Sequence, residues 1–205
     1  DGGVVSRALR IAFFLGFIRP VVWLLLGLNI RGRSKLPIEG PAIIAPNHNS
    51  HLDTMVMMSL FPIRRLKNVH PVAAADYWLA NRWISWFANN IIGVVPIERK
   101  PVDETKDVLA PADDALDAGK ILIYFPEGSR GEPEKISRFK SGIARLSERH
   151  PDVPVIPVFL HGLGKAWPKS SSVIVPFLCD VFIGEPLYWP KSQQAFMKHY
   201  TMAID

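Results

Sequence analysis

The sequence predicts an α/β fold: a mostly parallel sheet flanked by helices, preceded by an N-terminal hydrophobic helical hairpin. Two observations predict the α/β part. From Arg33 onward, short apolar runs that end in Gly, Pro or charged residues alternate with longer amphipathic stretches. Polar clusters then follow the apolar runs: "NHNSHLD" after "AIIA", "ER" after "IIGVVPI" and "PEGSRG" after "ILIYF". In open, mostly parallel sheets the carboxyl ends of the strands line the ligand crevice, so these clusters are expected to converge on one site. The hairpin rests on a third observation, the twenty residues "IAFFLGFIRPVVWLLLGLNI" from Ile11 to Ile30, broken only by Arg19 and Pro20.

That apolar stretch is long enough to cross a bilayer. A central arginine costs roughly 2.5 to 3.5 kcal/mol on insertion scales, and Pro20 removes a helical hydrogen bond at the same point. Residues 1–33 are therefore expected to form two short helices in a re-entrant or interfacial hairpin, with Trp23 and the flanking arginines near lipid headgroups. A pair of buried core helices is the alternative. A signal peptide does not fit, because the apolar stretch is interrupted and no small-residue cleavage site follows.

Residues 34–205 are expected to form the α/β domain. Strands are predicted at Ala42–Ala45, Pro71–Ala74, Ile92–Ile97, Ile121–Phe125, Val153–Phe159 and Phe177–Ile183. Helices are predicted at Ser50–Leu60, Trp78–Asn89, Glu104–Ala118 and Phe139–Arg149, with a last one starting near Lys191. Leu79, Trp83, Trp86 and Phe87 recur at helical spacing, which reads as core packing. A membrane-facing or acyl-facing surface is the alternative for these tryptophans.

A chain of 205 residues, 48% hydrophobic, can build one domain with a substantial core. Its net charge of +5 is uneven: six basic residues against two acidic ones lie between Asp1 and Gly40, and the rest is close to neutral. A nucleic-acid binder would carry its Lys and Arg on the folded body, so none is expected as a partner. The single cysteine, Cys179, excludes an internal disulfide and the usual thiolate zinc sites.

The chemistry concentrates in "NHNSHLD", Asn47 to Asp53. Ser50 and Asp53 fit a helix-capping box, which leaves His48 unexplained. With His48 in the loop and Asp53 in the first turn, the carboxylate can fix the imidazole tautomer. A metal site would recruit His48, His51 and Asp53, but the helical zinc spacing is absent and no metal is expected. No G-x-S-x-G elbow is present, and "HGLGK", His161 to Lys165, lacks the pattern of a phosphate-binding P-loop. What remains is His48 as a general base that deprotonates a hydroxyl supplied by the substrate.

The first block resembles the opening motif of the glycerolipid acyltransferases of the lysophosphatidic acid type, a histidine, four residues and an aspartate. "GVVPIER" (Gly93 to Arg99), "FPEGSR" (Phe125 to Arg130) and "VPVIPV" (Val153 to Val158) are similar to the family's second, third and fourth motifs, in order. The resemblance implies an O-acyltransferase of phospholipid biosynthesis that moves a fatty acyl group from a thioester to a lysophospholipid hydroxyl, 1-acylglycerol-3-phosphate first. It implies His48 as the base, Asp53 as its orienting carboxylate, and Arg99, Glu127, Gly128 and Arg130 as acceptor-binding residues. The helix N-terminus beside His48 is expected to supply oxyanion donors. One departure concerns the acceptor: where many members carry Lys-x-Glu, this chain has Ala74 and Asp76.

No cofactor is expected, with acyl-CoA or acyl carrier protein as co-substrate. The expected partners are a phospholipid membrane, the lysophospholipid acceptor and that donor, at the cytoplasmic face of the cell membrane. Two rival readings are a metal-dependent hydrolase built on His48, His51 and Asp53, and a non-catalytic lipid-binding module.

Overall fold

The computed structural model describes residues 2–48, 50, 52–75, 81–98, 107–128, 139–166 and 177–204. The strands among them are β1 (Leu26–Arg31), β2 (Ala42–Pro46), β3 (Val69–Ala74), β4 (Val95–Ile97), β5 (Ile121–Ile123), β6 (Val155–His161) and β7 (Phe177–Ile183). They form a single seven-stranded sheet in the order β1-β7-β6-β2-β5-β3-β4. β6, β2, β5, β3 and β4 run parallel; β7 pairs antiparallel with β6 and parallel with β1. The expected α/β fold with a mostly parallel sheet is therefore present.

The helices are α1 (Gly2–Phe13), α2 (Arg19–Leu25), α3 (Asp53–Ser59), α4 (Arg82–Phe87), α5 (Ala110–Asp117), α6 (Gly142–Arg149), α7 (Leu163–Ala166) and α8 (Gln193–Ile204). They cover both faces of the sheet, because successive strand residues point to opposite sides. In β2, Ile44 packs with Phe14, Val22, Val56 and Met57 on one face, and Ile43 with Leu116, Ile143, Phe196 and Tyr200 on the other. Burial on both faces explains why β2 reads as an unbroken apolar run.

The N-terminal segment departs from the hairpin. Backbone angles stay helical through Phe13, Ile18 and Arg19, so α1 continues into α2 through a π-helical turn, Phe14–Ile18. The Arg19 N–H reaches back five residues to Phe14 O, immediately before Pro20, which has no N–H to give. No described helix is long and apolar enough to cross a membrane. Arg10, Phe14, Ile18, Val22 and Leu26 form a stripe four residues apart that is buried, and the Arg10 guanidinium donates to Val69 O at 2.7 Å. The other side carries exposed Leu9, Leu15, Phe17, Trp23 and Leu24, so a fully buried pair of core helices is not what forms either. The segment ends in β1, unforeseen from the sequence, whose Leu26 to Arg31 pair with Phe177 to Phe182. The boundary expected at residue 33 thus falls beyond a strand of the main sheet.

Three further boundaries moved for local reasons. The run expected as strand Ile92–Ile97 begins inside a π-helical turn, Ala88–Ile92, closed by Gly93 at φ +74° with its N–H on Ala88 O, and only Val95–Ile97 is strand. The helix expected from Trp78 starts after Asn81, which is extended and whose side chain accepts from Trp83 N–H at 2.8 Å. The helix expected from Glu104 starts at Ala110, behind Asp107, whose carboxylate accepts from Leu109 N–H at 3.0 Å. Trp78, Leu79 and Glu104 lie outside the described residues.

Candidate active site

Sequence dictates the site's first element through Asn47. As β2 ends, the Asn47 side chain imitates a strand residue: its Nδ2–H donates to Leu160 O at 3.0 Å and its Oδ1 accepts from Leu160 N–H at 2.6 Å. The chain is thereby tied to β6 for one step beyond the regular ladder, and His48 leaves the sheet from a fixed point.

His48 Nδ1 lies 2.9 Å from Asp53 Oδ2, although the two are five residues apart. They meet because Asp53 begins α3 directly after Leu52 while His48 is still in the loop. The Asp53 side chain is fully buried and the His48 side chain is 19% exposed. A carboxylate only accepts, so Nδ1 carries the proton and Nε2 is left as the basic nitrogen. Asp53 Oδ2 also accepts from Ser50 N–H at 2.8 Å, and Ser50 Oγ from Leu52 N–H at 3.2 Å. Capping and tautomer control are thus one arrangement and not two alternatives.

This cap has a cost for the expected oxyanion donors. The N–H groups of Ser50, Leu52 and Asp53 are all engaged within the turn, the last with Ser50 O. They are spent on the cap, so the start of α3 does not offer them to a substrate oxyanion.

The third polar cluster joins the first. β5 lies beside β2, and Glu127 Oε1 accepts from the His48 backbone N–H at 2.8 Å, with Glu127 only 2% exposed. The Phe125 ring stacks on the imidazole, centroids 4.1 Å apart and planes 29° from parallel. Below them Tyr200 of α8 donates to Ala45 O at 3.0 Å, its phenol pushed well above the usual value by burial and by the Glu127 charge. Asn47, Phe125 and Tyr200 were not singled out as site residues in the sequence; Asn47, next to the histidine, and Phe125, first of the "FPEGSR" block, lay inside the quoted motifs, and Tyr200 carried no local signal.

Gly128 has φ +70°, and its N–H closes a turn on Phe125 O at 3.0 Å. A Cβ there would lie 2.8 Å from Lys140 Nζ. The glycine therefore suits a left-handed turn over which the Lys140 side chain passes, and its N–H closes that turn.

The second cluster follows β4, whose carboxyl end is on the same edge of the sheet but three strand spacings from β2, roughly 14 Å. Arg99 and Arg130 lie outside the described residues, as do His51 and Asp76. Ala74 is the last residue of β3. Among the described residues no group of three His, Cys, Asp or Glu side chains gathers in a way that could hold a metal ion.

Comparison with known proteins gives a consistent result. The family model described as Acyltransferase matches residues 27–161. The chloroplastic 1-acyl-sn-glycerol-3-phosphate acyltransferase LPAT1 of Arabidopsis thaliana is 30% identical over 80% of this chain and 45% of its own length. Human 1-acyl-sn-glycerol-3-phosphate acyltransferase alpha is 25% identical over 78% of this chain and 54% of its own. The chain spans about half the length of the curated relatives it matches. The crystal structure of the 1-acyl-sn-glycerophosphate acyltransferase PlsC from Thermotoga maritima superposes with a TM-score of 0.73 over 97% of this chain and 78% of that one, at 23% identity, so it shares the fold.

Proposed function

Because the chain belongs to the acyltransferase family, we propose that it moves a fatty acyl group from an acyl thioester to the hydroxyl of a lysophospholipid, with 1-acylglycerol-3-phosphate first among acceptors. The observation that carries this reading is the pairing of His48 Nδ1 with the buried Asp53 carboxylate at 2.9 Å. Names of the relatives direct the choice of acceptor.

In the proposed reaction His48 Nε2 takes the proton of the acceptor hydroxyl as its oxygen attacks the thioester carbonyl carbon. The tetrahedral intermediate collapses with cleavage of the C–S bond, and the imidazolium returns the proton to the departing thiolate. The products are an ester and a free thiol, with no covalent enzyme intermediate and no cofactor beyond the thioester, acyl-CoA or acyl carrier protein. Asp53 stabilises the imidazolium by its charge. Arg99 and Arg130 are proposed to hold the acceptor phosphate, since guanidinium forks match phosphate oxygens.

The proposed partner surface is a phospholipid membrane, engaged from one side at the cytoplasmic face. Trp23 and Leu24 are each 82% exposed on α2, and Trp83 is 74% exposed on α4. Phe13 and Phe87 meet edge to face at 5.1 Å, which sets α4 beside the N-terminal helix. Tryptophan at such positions suits the headgroup level of a bilayer. A groove of about 710 Å³ along α2, lined by Leu15, Trp23, Leu26 and Leu60 with Arg19 and Arg33, adds apolar surface beside Trp23.

Thiol release measured with acyl-CoA and acyl carrier protein donors against a panel of lysophospholipids tests the reading. Transfer is expected with lysophosphatidate and is expected to fall by about 10² to 10⁴ in His48→Ala. Near wild-type turnover in that variant would remove His48 as the base.

A further inference from the structure

We infer that Glu127 is a positioning residue that fixes the main chain of His48, and that it is not a ligand of the acceptor. The inference rests on the proposed role of His48 as base and assigns Glu127 the second of two anchors on that residue.

Glu127 is 2% exposed, and its Oε1 is committed to the His48 backbone N–H at 2.8 Å. The side chain is buried, and its charge contributes to raising the pKa of the Tyr200 phenol, itself fully buried. A phosphate ester brought to hydrogen-bond distance of this carboxylate would set anion against anion, and a carboxylate so buried presents almost no surface to an acceptor hydroxyl.

Holding the base is a role that the geometry favours. Asp53 grips the imidazole at Nδ1, Phe125 covers one face of the ring at 4.1 Å, and Glu127 grips the peptide nitrogen of the same residue. Glu127 and His48, 79 residues apart in sequence, thereby meet through the adjacent parallel strands β2 and β5, and His48 is held both at its ring and at its backbone. Charge-assisted hydrogen bonds are shorter and stronger than neutral ones, which suits a contact that must hold a loop in one place. Gly128 then turns the chain away immediately, with its left-handed φ of +70°.

The test compares Glu127→Ala with Glu127→Gln in steady-state kinetics, varying the lysophosphatidate acceptor and the thioester donor in turn. Displacement of a reacting group by about 1 Å costs on the order of 10²-fold, so Glu127→Ala is expected to lose roughly that factor in kcat while the acceptor KM changes less than about threefold. Gln keeps an oxygen to accept the His48 N–H and is expected to restore most of the rate. A rise of about tenfold or more in acceptor KM with kcat preserved, in either variant, would overturn the inference in favour of direct acceptor contact. The His48 imidazole NH signal, followed by ¹⁵N NMR without any substrate, gives a reading independent of turnover. Faster exchange in Glu127→Ala and wild-type protection in Glu127→Gln are expected; equal protection in Glu127→Ala would sink the positioning role. If the wild type transfers no acyl group, the proposed function fails while this spectrum still decides the role of Glu127.

Discussion

Asn47 and Leu160, 113 residues apart, exchange two hydrogen bonds in which a side-chain amide stands in for a strand's peptide group. Both residues are buried, so neither Leu160 group has water to fall back on. Asn47→Ala is expected to cost about 1 to 3 kcal/mol for each group left unpaired, measured by urea unfolding. Asn47→Asp keeps the acceptor for Leu160 N–H but turns a second oxygen toward Leu160 O, and it should be at least as destabilising. An unfolding midpoint unchanged in both variants would mean that the pair does not anchor the loop.

Asp53→Asn separates the two duties of that carboxylate. One oxygen serves both His48 Nδ1 and Ser50 N–H, and an amide oxygen can still cap the turn but brings no charge to the imidazolium. Activity is expected to fall by about 10² or more, within the range of general-base catalysis, with a stability change of about 1 kcal/mol, typical of cap substitutions. Activity loss fully matched by the unfolded fraction would reduce Asp53 to a cap.

Trp83 and Trp86 are 74% and 49% exposed, contrary to the core packing that their helical spacing suggested. Among the described residues of that group only Phe87 packs against the core, and Leu79 lies outside them. Replacing Trp83 and Trp86 by Ser in the full chain is expected to weaken sedimentation with anionic vesicles while leaving thermal unfolding nearly unchanged, since surface changes usually stay within about 0.5 kcal/mol. Wild-type vesicle binding would confine any lipid contact to α1 and α2.

His70 predicts a pH dependence of stability. Burial first, then the charges of Arg10 and Lys120, hold its imidazole below the usual 6.5, opposed by the carbonyls of Gly93 and Lys67 facing its two nitrogens. Because the folded value is depressed, the unfolded chain binds the extra proton, and this contribution is present above about 6.5 and lost as the pH falls through the folded value. Urea unfolding at pH 7.5 and pH 5 should show a larger loss for wild type than for His70→Gln. Equal losses would exclude a depressed His70.

Local chemistry decided much of this molecule. The strand Phe177–Ile183 forms over the residues that its apolar pattern marks, and His48, Ser50 and Asp53 lie close enough in sequence for their loop-to-helix geometry to be read directly. Period and cap residues act within a few positions, which is why they are legible in one dimension. Other features depend on partners far along the chain. Leu26 to Arg31 become a strand because β7, about 150 residues later, offers them an edge, and an apolar run carries no mark of that partner. Gly93 turns Ile91 and Ile92 into a helix end, a distinction that an apolar run cannot encode. Glu127 reaches the His48 N–H only because β5 lies beside β2, and Phe87 of α4 turns inward against Phe13 of α1 while Trp83 stays exposed. Burial and long-range hydrogen bonding are properties of the assembled layers, and the assembly alone assigned them.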